Sequence, residues 1–568
     1  MKYSKRFIAF TLILAGIFLF KFQILGLGTS GVGEFRGADL DQTVWNPIVA
    51  ADVNSAILTV IIDSQEYTSE DLHFYMNKDR GIMIPVAMLR DALNCSVHVY
   101  DGMHLLVEKH NQSASMTVGE QEAQLNGETV RLVSGLAELD GGLYVSLEDL
   151  AGLLDYSYSF DIAENTVTAA DTDNSSIVPA RYDLREKGRL SAIRNQGSYG
   201  TCWAFAATSA LESSLYPEEQ ELFSVDHMTM SNSFHVNQYD GGEYTMGMAY
   251  LAAWQGPVYE KDDPYGDGET DASLDAVRHV QEMRIIDGKS YEAIKAAVFQ
   301  YGGVQSSLYS TIQSSGGNPA YYNRETSAYC YIGTEKPNHD VVIIGWDDNY
   351  PSENFNTPLE GDGAFICQNS WGETFGEDGV FYVSYYDTNI GTHNVVYTRV
   401  EPVNNYDNIY QSDLCGWVGK MGYDSEEIYG ANVFTARGDE TVRAAAFYAT
   451  GADTEYDIYI VHDFVDEDSF ENRVRVASGK LKQAGYYTID FHAPEDVRAG
   501  ERYAVLLRVR TPGAAHPMAI EYDSGDYALT TVDLEDGEGY ISYNGRKFVN
   551  VKEKKESNLC IKAFTRNR

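Results

Sequence analysis

Gln196-Gly-Ser-Tyr-Gly-Thr-Cys202-Trp-Ala-Phe-Ala-Ala-Thr-Ser-Ala-Leu-Glu212 passes from a glycine-bearing loop straight into an alanine-rich apolar run. The change predicts a loop that ends in a buried helix starting at the cysteine. A thiol at a helix N-terminus meets the positive end of the helix dipole, which lowers its pKa and favours the thiolate nucleophile. The backbone N–H of Cys202 would point at a developing oxyanion, and the side-chain amide of Gln196 can supply a second donor. A lone Cys before Trp-Ala-Phe is more often an inert buried thiol, so its partners decide the matter.

The best imidazole partner is His339, which precedes the buried run Val341-Val-Ile-Ile-Gly345, where a strand would hold it rigidly. An imidazole that accepts a proton needs an orienting acceptor of its own. Asn369, in Ile366-Cys-Gln-Asn-Ser-Trp-Gly372 at the end of another apolar strand, fits that role. His393 before Asn394-Val-Val is a weak rival, and Cys367 reads as a core thiol.

In order and in local sequence, Gln196…Cys202-Trp203, His339 and Asn369-Ser370-Trp371-Gly372 resemble the papain-like cysteine peptidases. His339 lies 137 residues after Cys202, within the roughly 130–150 that such enzymes show. Asn369 comes slightly late, and the loop 347–363 can absorb the excess. Val178-Pro-Ala-Arg-Tyr-Asp-Leu-Arg185 resembles the start of the mature domain, and Asp240-Gly241-Gly242 resembles the glycine strip that pairs with the substrate backbone. The resemblance implies acyl transfer to Cys202 followed by hydrolysis, with Trp371 shielding the Asn–His bond. It also marks a departure. The family's usual Cys three residues before the nucleophile is Tyr199, and its partner near Gly241-Gly242 is absent as well. Packing is expected to hold the loop instead. Asp340 stands after His339 where a small residue is common, and is expected either to raise the imidazole pKa or to alter the nearby pocket.

At 568 residues the chain has room for about four domains. Residues 34–172 contain an internal repeat: Gly81–Val97 aligns without gaps on Gly142–Tyr158. Each copy reads as strand, turn and helix (Val86, Leu89, Leu93; Leu147, Leu150, Leu154), with second strands expected at His98–Val107 and Phe160–Ala169. This pattern resembles the N-terminal stalk domain of copper amine oxidases, a module attached to many exported bacterial enzymes. It implies no copper, since the spacing of His98, His104 and His110 suits no single ligand face; they read as surface histidines. Asp171-Thr-Asp-Asn-Ser-Ser176 reads as a linker. No helical inhibitory prosegment is evident, and whether residues 34–172 are stalk or prosegment is left open. From about 403 to 568 alternating runs such as Val442/Ala444/Ala446/Tyr448 and Tyr503/Val505/Leu507/Val509 indicate an antiparallel β-sandwich. By placement it resembles the lectin-like domain of bacterial relatives. The architecture expected is therefore multidomain α+β, with a papain-like α+β domain at 178–402 between an α+β repeat domain and a β-sandwich.

Residues 1–30 carry Lys2, Lys5 and Arg6 before the apolar run Phe7–Phe20, the pattern of a secretory signal peptide; an uncleaved signal anchor holding the chain to the membrane is the alternative. The protein is thus expected to be secreted or held at the cell surface. Its 84 acidic against 42 basic residues give a net charge of −42, a field that excludes duplex or other phosphate-rich nucleic-acid partners. Six cysteines spread over the whole chain do not make a disulfide scaffold. No C-x-x-C pair, complete calcium loop or other metal site is found; Asp262-Asp263 and Asp466-Glu-Asp468 read as solvated surface. Gly26-Leu-Gly28-Thr-Ser-Gly31 matches a dinucleotide pattern but follows a signal segment rather than a strand, and Asp287–Ser290 lacks the upstream glycine of a phosphate loop. No cofactor is implied.

The reading is an exported cysteine endopeptidase acting on polypeptides. Cys202 is the nucleophile, His339 the base, Asn369 the orienter and Gln196 the oxyanion donor; Gly241, Gly242 and Trp371 line the substrate site. The C-terminal module adds a cell-surface glycan as a further partner or simply buttresses the enzyme. The rival class is a binding protein that keeps an inactive papain-like fold.

Overall fold

The computed structural model describes residues 58–68, 73–77, 81–139, 141–161, 164–173, 175–311, 320–523, 532–535, 537–552 and 556–568. The segment read as a signal or anchor lies outside them. Among the described residues no helix is long and apolar enough to cross a membrane.

The first module is built on the repeat. Strand β1 (Ile82–Pro85) leads into helix α1 (Leu89–Leu93), and β3 (Gly142–Ser146) into α2 (Leu147–Leu153). The two copies meet because β1 and β3 pair antiparallel, with Ile84 opposite Val145. Val86, Leu89, Leu93, Leu147, Leu150 and Leu154 then share one core, as their helical spacing requires. The expected second strands are each divided. Copy one continues as β2 (Ser96–Tyr100) and a separate strand His104–Lys109; copy two as β4 (Tyr156–Asp161) and Thr166–Asp171. In the first copy Asp101 and Gly102 adopt positive φ and reverse the chain where a single strand was expected.

Two of the three histidines read as surface groups are buried. His98 bonds Ser96 and the Arg189 guanidinium, while His110 is held by Asp171 at 3.0 Å and the Ser176 carbonyl. His98 faces the seam with the next module and His110 the segment that leads to it, which one strand's pattern cannot reveal. The expected linker is accordingly no free tether: Asp171 also takes Lys109 at 2.7 Å, and His110 grips both ends of the segment. No His/Cys/Asp/Glu group able to hold a metal occurs among the described residues.

The middle module packs helices α3 (Cys202–Leu215), α4 (Val225–Met230) and α5 (Tyr244–Ala252) against a sheet half. That half contains β5 (His279–Ile286), α6 (Tyr291–Gln300), β6 (Val304–Leu308), β7 (His339–Asp347), β8 (Ala364–Gln368), β9 (Val380–Ser384) and β10 (Asn394–Glu401). In space the strands run β9-β8-β7-β6-β10-β5, with α3 laid against β7. Strand β7 is buried along its first eight residues, hence its unbroken apolar run after Asp340.

The third module is the expected sandwich. Its sheets include β11 (Glu427–Thr435), β13 (Thr454–Val461) and β15 (Arg502–Arg510) on one side, and β12 (Glu440–Ala449), β14 (Ala484–Val497) and β16 (Ile561–Asn567) on the other. The sandwich is not separate from the middle module. Strand β5 pairs with β10 on one side and with β14 on the other, so one sheet of sixteen strands runs through both. Strand β12 is buried on both faces: Ala445, Phe447 and Ala449 fill the sandwich core, whereas Ala444, Ala446 and Tyr448 join the core of the middle module. Of the alternating set picked out in the sequence, Ala444, Ala446 and Tyr448 thus meet the neighbour, whereas Val442 joins the sandwich core because the ladder shifts register between 442 and 444; the alanines let the two layers approach closely.

At Gly485 of β14, φ is +150° and an added Cβ would lie 2.2 Å from the Met283 carbonyl oxygen of β5. Gly485→Val should therefore force the seam apart and lower stability by about 2 kcal/mol or more, read as a drop in Tm. A fragment ending at residue 402 should aggregate, because it leaves the edge of β5 and an apolar face uncovered; size-exclusion chromatography would report this.

Candidate active site

Cys202 opens α3. The loop before it is pinned on two sides. Arg194 reaches the fully buried Glu212 of α3 at 3.0 Å while its carbonyl accepts the Gly372 N–H, and Gln196 donates its N–H to Ser370 O at 2.8 Å. The Ser370 hydroxyl donates to Gln196 Oε1 at 2.7 Å, and Gln196 Nε2 donates one hydrogen to the Tyr199 carbonyl, which fixes the plane of the amide.

Tyr199 occupies the position of the missing cysteine, and an aromatic clamp replaces the crosslink. Its ring lies 4.9 Å from Tyr239 and 6.1 Å from Tyr265, and Tyr265 meets Phe205 of α3 at 4.7 Å. The Tyr265 hydroxyl donates to the Gln196 carbonyl at 2.9 Å and lies 2.7 Å from the Thr201 hydroxyl, bridging both ends of the loop. The Gly200 N–H donates to Gln238 O at 2.7 Å, drawing in the segment with Gly241 and Gly242. A Cβ on Gly200 would sit 2.7 Å from the Gly241 nitrogen, and one on Gly242 would strike the Trp203 indole. These glycines therefore allow the strip to lie directly on the loop that carries the thiol.

His339 begins β7, and its Nε2–H lies 2.8 Å from Asn369 Oδ1, which also accepts the Ser370 N–H. Trp371 stacks over the imidazole, centroids 4.7 Å apart at 27°, and is itself braced by Phe375. The next residue on β7, Asp340, turns its backbone N–H to the Cys202 sulfur. Thiol, imidazole and amide thus lie together across the junction of helix half and sheet half.

The electrostatics differ from the sequence expectation. Burial and the nearby Asp340 carboxylate push the Cys202 thiol up to about 12; backbone N–H groups of Asp340, Trp203 and Cys202 pull the other way and are outweighed. Burial lowers His339 to about 4, with Asn369 opposing. The helix N-terminus alone therefore does not produce a resting thiolate, and the carboxylate of Asp340 acts on the thiol rather than on the imidazole. That carboxylate accepts from Ser307 Oγ at 2.7 Å and Gln305 Nε2 at 2.9 Å. His393 is not part of the His339–Asn369 arrangement; its ring lies against Tyr244. Tyr265, Tyr239 and Gln305 went unrecognised in the sequence because only long-range contacts bring them to the site.

Residues 178–400 match the family model described as papain family cysteine protease. This stretch is a papain-family cysteine protease domain. Residues 61–169 match the copper amine oxidase N-terminal domain, and 409–565 the lectin like domain. A cysteine protease of Blomia tropicalis is 26% identical to the chain over 237 residues, 39% of this chain and 65% of that protein. The match thus spans less than two thirds of that relative. The solved structure of the clostridial cysteine protease Cwp84 after propeptide cleavage is 26% identical, with a TM-score of 0.62, covering 68% of this chain and 99% of that one. A second structure comprises the cysteine protease and lectin-like domains of Cwp84, a surface layer associated protein of Clostridium difficile. It is 25% identical, with a TM-score of 0.60, covering 69% of this chain and 89% of that one. The papain-family domain and the lectin-like domain therefore recur together in the fold seen here.

Tyr265→Phe removes both bridging hydrogen bonds of the loop and leaves the ring. We expect a loss of about 1–2 kcal/mol in unfolding free energy, measured by urea titration, with a several-fold drop in any turnover that depends on the loop.

Proposed function

We propose that the chain is an exported thiol endopeptidase in which Cys202 is the nucleophile, His339 the general base and acid, Asn369 the orienter and Gln196 an oxyanion donor. The observation that carries this reading is the His339–Asn369 bond under Trp371, set on the strand whose next residue, Asp340, acts on the Cys202 thiol.

With Nε2 committed to Asn369, Nδ1 is the imidazole atom free to take the thiol proton. Burial disfavours each isolated charge, so proton transfer from Sγ to Nδ1 creates both charges together. The sulfur attacks the peptide carbonyl, and the oxyanion is met by the Cys202 N–H and the remaining hydrogen on Gln196 Nε2. The imidazolium returns its proton to the leaving amine, and a water activated by His339 then hydrolyses the thioester.

The N-terminal module supports a stalk role rather than an occluding one. It meets the protease domain through Asp91 on Arg284 at 2.9 Å and His98 on Arg189, whose guanidinium caps the far end of α3 at the Ser213 carbonyl. Over the 14 residues of α3 that end lies roughly 20 Å from the thiol at about 1.5 Å per residue. Surface location is supported by the likeness to Cwp84, and the lectin-like module adds cell-surface glycan as a partner class.

Reaction with an epoxysuccinyl affinity label and peptide hydrolysis test the reading. Cys202 should be labelled and Cys202→Ala inert. His339→Ala should lose at least about 10³-fold in kcat, and Asn369→Ala less, because it orients without transferring protons. Absence of both labelling and hydrolysis would favour the binding-protein alternative. The base form of His339 persists above its lowered pKa. The acid limb of kcat/KM should therefore fall well below the ordinary imidazole value of about 6.5, with activity retained at pH 5–6 and lost towards 4.

A further inference from the structure

We infer that the cleft where the three modules meet is a binding site for a small organic carboxylate with a compact apolar body. The inference stands apart from the peptidase reading, since the cleft shares no residue with the surroundings of Cys202.

The cleft holds about 460 Å³, within the roughly 300–1,000 Å³ usual for small-molecule sites, which favour domain junctions. Every module contributes a wall: Asp63 and Arg90 from the first, Tyr301 and α6 from the second, Lys482 and Gln483 just before β14 from the third. Along α6 the lining residues are Ala293, Ala296 and Ala297, whose short side chains leave the space open and its floor apolar.

The acids on these walls already have partners, whereas the cations do not. Asp91 accepts from Arg284 through both oxygens, at 2.9 and 3.1 Å, and from the Tyr301 hydroxyl at 2.8 Å. Asp63 accepts the Asp171 N–H at 2.7 Å and the Tyr156 hydroxyl at 3.2 Å. Arg90 has no carboxylate within ion-pair distance among the described residues. Its Nη2 donates to the Val97 carbonyl, its Nε is buried without a partner, and its Nη1 donates to no described group. Burial and the neighbouring Arg189 guanidinium make this charge costly, and Tyr301 and Glu218 offset them only in part. A guanidinium stays charged even so, and one in this setting gains most from an anion that reaches its free donor. Lys482 is exposed, makes no ion pair among the described residues and lies close enough to act on Asp91. It brings a second cation to the same space. The chain's net charge of −42 repels anions at long range. An anion that also buries an apolar body on the alanine floor can overcome that repulsion, whereas a bare phosphate has only its charge to offer.

Benzoate, benzamide and inorganic phosphate, titrated calorimetrically into the full chain at constant ionic strength, test this. We expect a Kd of about 1 mM or tighter for benzoate, with benzamide and phosphate at least about 10-fold weaker. Arg90→Gln should weaken benzoate about 10-fold, and Lys482→Met, at an exposed position, about 3-fold. Ala296→Phe fills the cleft without altering a charge and should abolish the signal, which a merely basic patch would retain. Absence of benzoate binding overturns the inference, as does equal affinity for benzoate and either control. Benzoate binding unchanged in both Lys482→Met and Ala296→Phe also overturns it, so the test stays decisive even if Arg90→Gln does not fold.

Discussion

All three modules lean on the strand 279–286. Its backbone is shared between β10 of the protease domain and β14 of the sandwich, and Arg284 on it reaches Asp91 of the N-terminal module. Backbone pairing is the constraint that matters most, because a strand with ladders on both sides has no free edge and cannot shift register without breaking two interfaces. The sheet half that carries His339 and Asn369 is therefore held by the sandwich as well as by its own core. The C-terminal module acts first as a part of the enzyme's framework, whatever it also binds.

What the sequence made legible follows from the range of the interactions. The helix starting at Cys202 and the strand ends carrying His339 and Asn369 are written in contiguous residues, as are the two repeat helices. The sandwich strands were legible from alternation, but the neighbour each face would meet was not. Ala444, Ala446 and Tyr448 read as an ordinary core face, yet they pack on the protease domain. His98 and His110 failed as surface groups for the same reason, since each is buried by residues far away in sequence. Tyr265 stands 63 residues from the thiol whose loop it ties, with no local pattern to announce it.

The site also shows how a dipole argument can be outweighed. The helix start offers the Cys202 sulfur backbone donors, but burial and one carboxylate act in the opposite direction with greater effect. In the proposed mechanism reactivity comes from proton transfer between two groups that burial makes costly to charge singly. Trp371 stacks over His339, and in that mechanism this low-polarity roof would keep competing water from the Asn369 bond.

The aromatic clamp has a consequence for chemistry in a changing environment. All six cysteines are free, and the five other than Cys202 are buried. Where related scaffolds would brace this loop with a crosslink, here ring contacts and a tyrosine hydroxyl do so. Ambient oxidants and thiols can then act on a single accessible sulfur while the cleft keeps its shape. Oxidation state becomes a property of one atom, decoupled from the architecture around it.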